Sequence, residues 1–250
     1  MTDWYQKAGY QQQLYENRVS YKNSGAGVEW GEREYQRWAA ATRGRLRGWL
    51  PEDRGTPILD MGCGPGNFLY LLEQQGYSDI VGVDLSPKKI HLAQQWCPQA
   101  KVIQGDVRDT LIENPGHFGL ITGFDLIEHF QKEEILPFLT LVVQALKAGG
   151  RVIFQTPNAG SPWAGALAYG DFSHEWFFTP VSLATLLDQV GLAGYEARPC
   201  GPHIHGLKSL VRVVLWKIIS LGTDLVILAE AGGRSTGIYT RVFLGTAIKQ

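Results

Sequence analysis

Three aspartates recur in the first half of the chain, each close behind a short apolar run: Asp60 in ILDMGCGPGNFL, Asp84 in VGVDLSP and Asp106 in VIQGDVRD. Gly62, Gly64 and Gly66 follow Asp60 and allow a sharp turn, so a ligand can lie against the backbone. The spacing Gly-x-Gly-x-Gly differs from the Gly-x-Gly-x-x-Gly that cradles a dinucleotide pyrophosphate. An acid beside that turn suits a cationic ligand. A carboxylate at Asp84 can accept from both hydroxyls of a ribose, and one at Asp106 from the exocyclic amine of adenine. Each also has a plain structural reading, as a tight turn, a helix cap or a loop acid, although Ser86 already fills the cap next to Asp84.

Two histidines can take up a proton near pH 7. His129 follows Glu128 in DLIEHF, and His174 lies in DFSHEWFFTP. The alternative for His129 is a satisfied structural role. His174, on a loop, leans further toward function.

Positioning these groups requires regular elements. Apolar runs Ile58–Met61, Asp79–Asp84, Lys101–Gln104, Phe118–Gly123 and Arg151–Gln155 read as strands. Between them, Asn67–Gln75, Pro87–Trp96 and Glu133–Lys147 read as helices, and Thr179-Pro180 starts another that runs to Val190. Tyr195–Arg198 and Ile238–Ile248 are further strand-like runs. Such alternation predicts an α/β fold with a parallel sheet covered on both faces. Ligands then bind beyond the carboxyl ends of the strands, where the strand order reverses.

From Ile58 to Phe154 these motifs resemble the class I S-adenosylmethionine (SAM)-dependent methyltransferases. The resemblance implies a doubly wound, Rossmann-like sheet of seven mostly parallel strands with an antiparallel last strand. SAM would be the cofactor. Asp60 with Gly62, Cys63 and Gly64 would hold its methionine part, Asp84 with Leu85 its ribose, and Asp106 with Val107 would border the adenine. Gly123 and Phe124 would line it near the sulfonium. His174, His129 and Glu128 are then the candidate catalytic residues. The implied reaction is methylation, foremost at oxygen, of a small-molecule, glycan or lipid-linked acceptor.

Asp125-x-x-Glu128-His129 is similar to the Glu-x-x-Glu-His pattern of ubiquinone-pathway and small-RNA methyltransferases, where it binds a divalent ion. Asp in place of Glu shortens the reach, so no metal ligand is assigned. A metal-assisted enzyme stands as the alternative, with Mg²⁺ or a transition ion held by oxygen and imidazole ligands. A non-catalytic SAM-binding protein is another. A nicotinamide-dependent oxidoreductase is disfavoured by Asp60 beside the glycine turn.

The remaining segments suggest additions to this core. Residues 1–50, with Trp4, Tyr5, Tyr10, Tyr15, Tyr21, Trp30, Tyr35 and Trp38, form a helical cap or lid, and residues 51–250 form the SAM-binding domain. A helical insertion spans about 205–232, and in HGLKSLVRVVLWKIISL its apolar residues cover nearly the whole helical circumference. The favoured reading is a helix packed on its own sheet or in a homodimer interface. Peripheral membrane contact through 207–221 is the alternative, with Lys208, Arg212 and Lys217 near head groups.

Composition sets outer bounds. In 250 residues, 44% hydrophobic and 19% charged content supplies a full core. Lys+Arg 23 against Asp+Glu 24 gives a net charge of −1, which argues against general duplex nucleic-acid binding. Cys63, Cys97 and Cys200 form no Cys-x-x-Cys pair. The opening residues lack a secretory pattern, and a cytoplasmic location, with or without membrane contact, is expected.

Overall fold

The computed structural model describes residues 31–204, 206–233 and 236–250. Most of the N-terminal aromatic cluster (Trp4, Tyr5, Tyr10, Tyr15, Tyr21 and Trp30) therefore lies outside the described residues. The first helix of the described residues, α1, is Glu32–Arg45. Strands and helices then alternate as β1 (Ile58–Met61), α2 (Asn67–Gln74), β2 (Ile80–Asp84), α3 (Pro87–Trp96), β3 (Lys101–Gln104), α4 (Val107–Glu113) and β4 (Phe118–Phe124). A 3₁₀ turn, Ile127–His129, leads into α5 (Lys132–Ala145) and β5 (Leu146–Pro157). The short α6 (Gly165–Ala168), α7 (Pro180–Gln189), β6 (Leu192–Pro199), α8 (Leu207–Ala231) and β7 (Val242–Lys249) complete the chain.

The seven strands form one sheet in the order β3-β2-β1-β4-β5-β7-β6. All neighbours pair parallel except β7, which runs antiparallel to both β5 and β6. Successive side chains on a strand point to opposite faces, and here both faces are covered. Leu59, Ile121 and Val152 join Phe138 of α5 and Leu183 of α7 in one layer. Ile58, Leu120 and Ile153 join Leu69 of α2 and Tyr77 in the other. Double coverage explains why β1 and β4 read as unbroken apolar runs rather than as alternating ones.

Local signals set the helix starts. Ser86 caps α3, with Pro87 in its first turn, and accepts from the Lys89 amide at 3.5 Å. Thr179 caps α7 by accepting from Ser182 N at 3.1 Å. The helix α4 was not foreseen. Asp106 starts it, accepting from the Arg108 amide at 2.9 Å. The segment expected as a helix to Lys147 ends at Ala145, and β5 begins before the Gly149-Gly150 turn, whose extra residues appear as a register shift against β4.

The insertion is helical as expected, and within the chain it is largely exposed rather than packed on its own sheet, the first of the two placements expected for it. Of α8 only Ser209 is buried, and the large apolar side chains of its outer side are exposed. The helix meets the body along one narrow stripe, where Trp216 packs tilted against Trp163 with centroids 5.5 Å apart. Among the described residues, no helix is long and apolar enough to cross a membrane.

Candidate active site

Strand order reverses between β1 and β4, and beyond their carboxyl ends lies a cleft of about 1160 Å³. Its floor is Asp60, only 2% exposed. The parallel register sets Asp60 beside Thr122, whose hydroxyl donates to the carboxylate at 2.7 Å. Burial raises the Asp60 pKa to about 7; the Thr122 bond opposes this and nearby Asp84 adds to it. The site thus holds a carboxyl whose ionisation a bound cation would favour.

The glycine turn fits a ligand lying on the backbone. Gly62, Gly64 and Gly66 all have positive φ, at 64°, 57° and 91°. A Cβ on Gly64 would meet only the Gly62 carbonyl oxygen, at 4.0 Å, so the turn is open toward the cleft there. Asp84 ties this turn to the end of β2: the Gly64 amide donates to Oδ2 at 3.0 Å and the Ser86 amide to Oδ1 at 2.8 Å. Lys89 Nζ stands 3.7 Å from the same carboxylate. Leu85 and Cys63 border the cleft, and burial pushes the Cys63 thiol up, away from thiolate chemistry.

On the far side of β2, Asp106 and Val107 line the wall. Asp106 is clasped by Arg108, with Nη2 to Oδ2 at 2.7 Å and Nε to Oδ1 at 3.0 Å. Arg108 Nη1 also donates to Glu134 at 3.1 Å. The Asp106 carboxylate is therefore a fixed, charge-paired acceptor at the helix start. Phe124 faces the cleft with Trp38 of α1 edge-on to it at 5.7 Å and Phe68 tilted against it at 4.9 Å. Gly123, expected beside the cofactor, pairs with Met61 near the end of β4 and immediately precedes Phe124. A Cβ there would meet the Phe154 ring at 3.1 Å, so its missing side chain serves strand packing. Helix α1 leans on the glycine turn, where the Tyr35 hydroxyl donates to the Pro65 carbonyl.

The opposite wall carries the titratable groups. Ligand atoms of Glu128, His129 and His174 all lie within 4.8 Å of one another, and the two imidazole centroids are 4.9 Å apart. His129 Nδ1 sits 3.0 Å from the Ser173 carbonyl. Only a protonated Nδ1 can donate there, which leaves the lone pair on Nε2. Glu128 is fully buried, with one oxygen accepting from Thr156 at 3.1 Å and the other, Oε1, without a hydrogen bond. Burial, and then Asp125, push its pKa well above the ordinary carboxylate range. His174 Nδ1 is likewise buried without a hydrogen bond. Asp125 has φ 50°, the sole left-handed non-glycine among the described residues, and Gln155 donates to both of its oxygens at 3.2 and 3.1 Å. Burial raises the Asp125 pKa, and the Gln155 bond and His174 oppose that rise.

Several site residues escaped the sequence reading. Arg108 stands two positions after Asp106 in GDVRD, and that short acid–base spacing was a usable signal. Thr122 and Thr156 gave none, because their relation to Asp60 and Glu128 arises from strand register and a loop crossing. Nothing in the sequence joins His129 to Ser173.

The methyltransferase-domain family profile matches residues 30–197. A ubiquinone biosynthesis O-methyltransferase of Aliivibrio fischeri is 25% identical over 153 residues, 55% of this chain and 64% of that relative. A trans-aconitate 2-methyltransferase of Azoarcus is 29% identical over 157 residues, 56% of this chain and 60% of the relative. The chain thus spans somewhat under two thirds of the length of these relatives. In fold it is similar to a SAM-dependent methyltransferase of Archaeoglobus fulgidus, with a TM-score of 0.62 and 20% identity over 84% of this chain and 94% of the other. With a family match over more than half of its length and the fold that goes with it, the chain belongs to the class I SAM-dependent methyltransferases.

Proposed function

We propose that the chain transfers a methyl group from SAM to an oxygen of a small-molecule, glycan or lipid-linked acceptor. When bound, SAM supplies an electrophilic methyl on a sulfonium. The observation that carries this reading is the facing of two walls: buried carboxylates at the ends of β1 and β2 on one side, and the His129–His174 pair on the other. Asp60 would balance the cationic methionine portion, Asp84 the ribose, and the clasped Asp106 the adenine edge. Trp38 and Phe124 would keep water from the transfer path.

Methylation of a hydroxyl releases its proton, and a neutral imidazole can receive it. His174, with a buried Nδ1 lacking a partner, and His129, whose Nε2 carries the lone pair, are the two candidates. Holding acceptor and donor in line is the larger part of the work, worth roughly 7–11 kcal/mol. Oxygen is chosen over nitrogen on the strength of the ubiquinone-pathway O-methyltransferases among the relatives. The test is a screen with methyl-labelled SAM against matched hydroxyl and amine acceptors. Label entering amines alone would refute the oxygen reading, and binding of NAD without SAM in calorimetry would refute the whole of it.

A second reading is favoured by one observation. Glu128, His129 and His174 offer one oxygen and two nitrogens in a single cluster, with two of the buried atoms lacking partners. That donor set fits a zinc- or manganese-class ion better than magnesium, which prefers oxygen ligands. Calorimetry with Zn²⁺ and Mn²⁺ tests it directly. Glu128→Gln should weaken such binding, and equal heats for both proteins would dismiss the metal.

A further inference from the structure

We propose that α8 is an in-plane membrane anchor whose outer face seats in the head-group and acyl boundary of an anionic lipid surface. The inference concerns a surface helix and does not depend on the catalytic reading.

A helix advances about 100° per residue. By that measure Leu207, Val211, Val214, Ile218, Leu221 and Leu225 share one side of α8, directly opposite the stripe of Ser209, Val213, Trp216 and Ser220 that meets the body. All six are exposed; Leu207 is 78% exposed and Ile218 62%. With Leu215 and Val226 on one shoulder and Leu210 and Leu228 on the other, the bare apolar arc covers about half the circumference. One partner helix would cover a narrower seam. A lipid surface covers such an arc in full.

The charges say which kind of surface. None of the five in α8 falls at the centre of the outer face. Lys208 and Arg212 stand on one margin and Lys217 on the other, all in the first half of the helix, where long cationic stems can lie along the apolar face and lift their heads to phosphate level. Asp224 is turned toward the body, where it accepts from the Tyr239 hydroxyl at 2.5 Å. Glu230 sits in the last turn. The advancing half of the anchor is thus cationic, which complements anionic head groups.

The anchor also adjoins the cleft. Trp216 packs against Trp163, and the segment after Trp163 supplies Ala166, Leu167 and Phe172 to the cleft wall. That rim carries the exposed aromatics Tyr169, 85% exposed, and Phe172, 80% exposed, residue types suited to the head-group level.

The test is flotation of the full chain with vesicles of phosphatidylcholine alone and of phosphatidylcholine mixed with phosphatidylglycerol. The mixed vesicles are expected to carry the protein. Ile218→Asp combined with Leu225→Asp should abolish flotation, while the melting temperature is unchanged because both side chains face away from the body. Lys208→Glu combined with Arg212→Glu should weaken binding to the mixed vesicles by at least about tenfold. A wild-type chain that stays with the soluble fraction in both cases overturns the proposal. So does sedimentation showing a dimer that the double-Asp variant splits, since a second copy would then cover the face.

Discussion

Asp60 and Thr122 sit side by side on neighbouring parallel strands and share a 2.7 Å hydrogen bond at the floor of the cleft. One hydroxyl does not offset the loss of water around a carboxylate, so the Asp60 pKa stands at about 7. A folded-state pKa raised above the unfolded value makes ionisation a burden on the folded chain. From about pH 4 to about pH 7 the ligand-free protein should therefore lose stability on account of this group, by a few kcal/mol in order of magnitude. Asp60→Asn should melt higher than the parent at about pH 8 and converge with it at about pH 4. The same variant should bind SAM more weakly. SAM affinity of the parent should rise with pH and level off above about 7, a dependence that calorimetry across this range would reveal and that the Asn variant should lack.

Asp84 holds two backbone amides, those of Gly64 and Ser86. Asp84→Ala should weaken SAM binding by about 1.5–3 kcal/mol, roughly tenfold to over a hundredfold, through the loss of charge-assisted bonds and the loosening of the glycine turn. Unchanged affinity in an equilibrium titration would remove Asp84 from the site.

Gly66 and Gly76 offer a matched pair. Both have positive φ, 91° and 81°, but a Cβ on Gly66 would stand 2.9 Å from Cys97 Sγ and 3.1 Å from the Ala93 backbone, while one on Gly76 meets nothing within 4 Å. Gly76→Ala should cost about 1–2 kcal/mol from backbone strain alone. Gly66→Ala adds overpacking and should cost roughly 2–5 kcal/mol. Urea unfolding of the two variants reads the difference, and equal midpoints would contradict the close packing of α2 on α3.

His129 and His174 can be separated by their pH profiles. Against an accepted hydroxyl substrate, loss of the base should remove the acid limb of kcat/KM and cut the rate by about 10²–10⁴. Replacement of the other histidine should leave that limb in place. Parallel profiles for His129→Gln and His174→Gln, both retaining the limb, would show that neither imidazole takes the proton.

The sheet and its ligand end were legible because several signals coincide. Unbroken apolar runs mark strands buried on both faces, Ser86-Pro87 and Thr179-Pro180 mark helix starts, and the acids near the carboxyl ends of β1, β2 and β3 share the ligand end of the sheet. What the sequence hid was lateral. The Asp60–Thr122 bond depends on strand register, and the His129–Ser173 bond on a loop folding back across the cleft. The bare face of α8 was equally hidden, because a helix apolar all round gives no clue to which side its neighbours will take.

The place of β7, between β5 and β6, sets an order of assembly. Among the described residues, strand β6 has no sheet neighbour other than β7, yet the ribosome delivers β6 first and then all of α8. Until β7 slots in, a strand with both edges unpaired and a long greasy helix must wait together. That interval is when this chain would most need a chaperone or an early landing place.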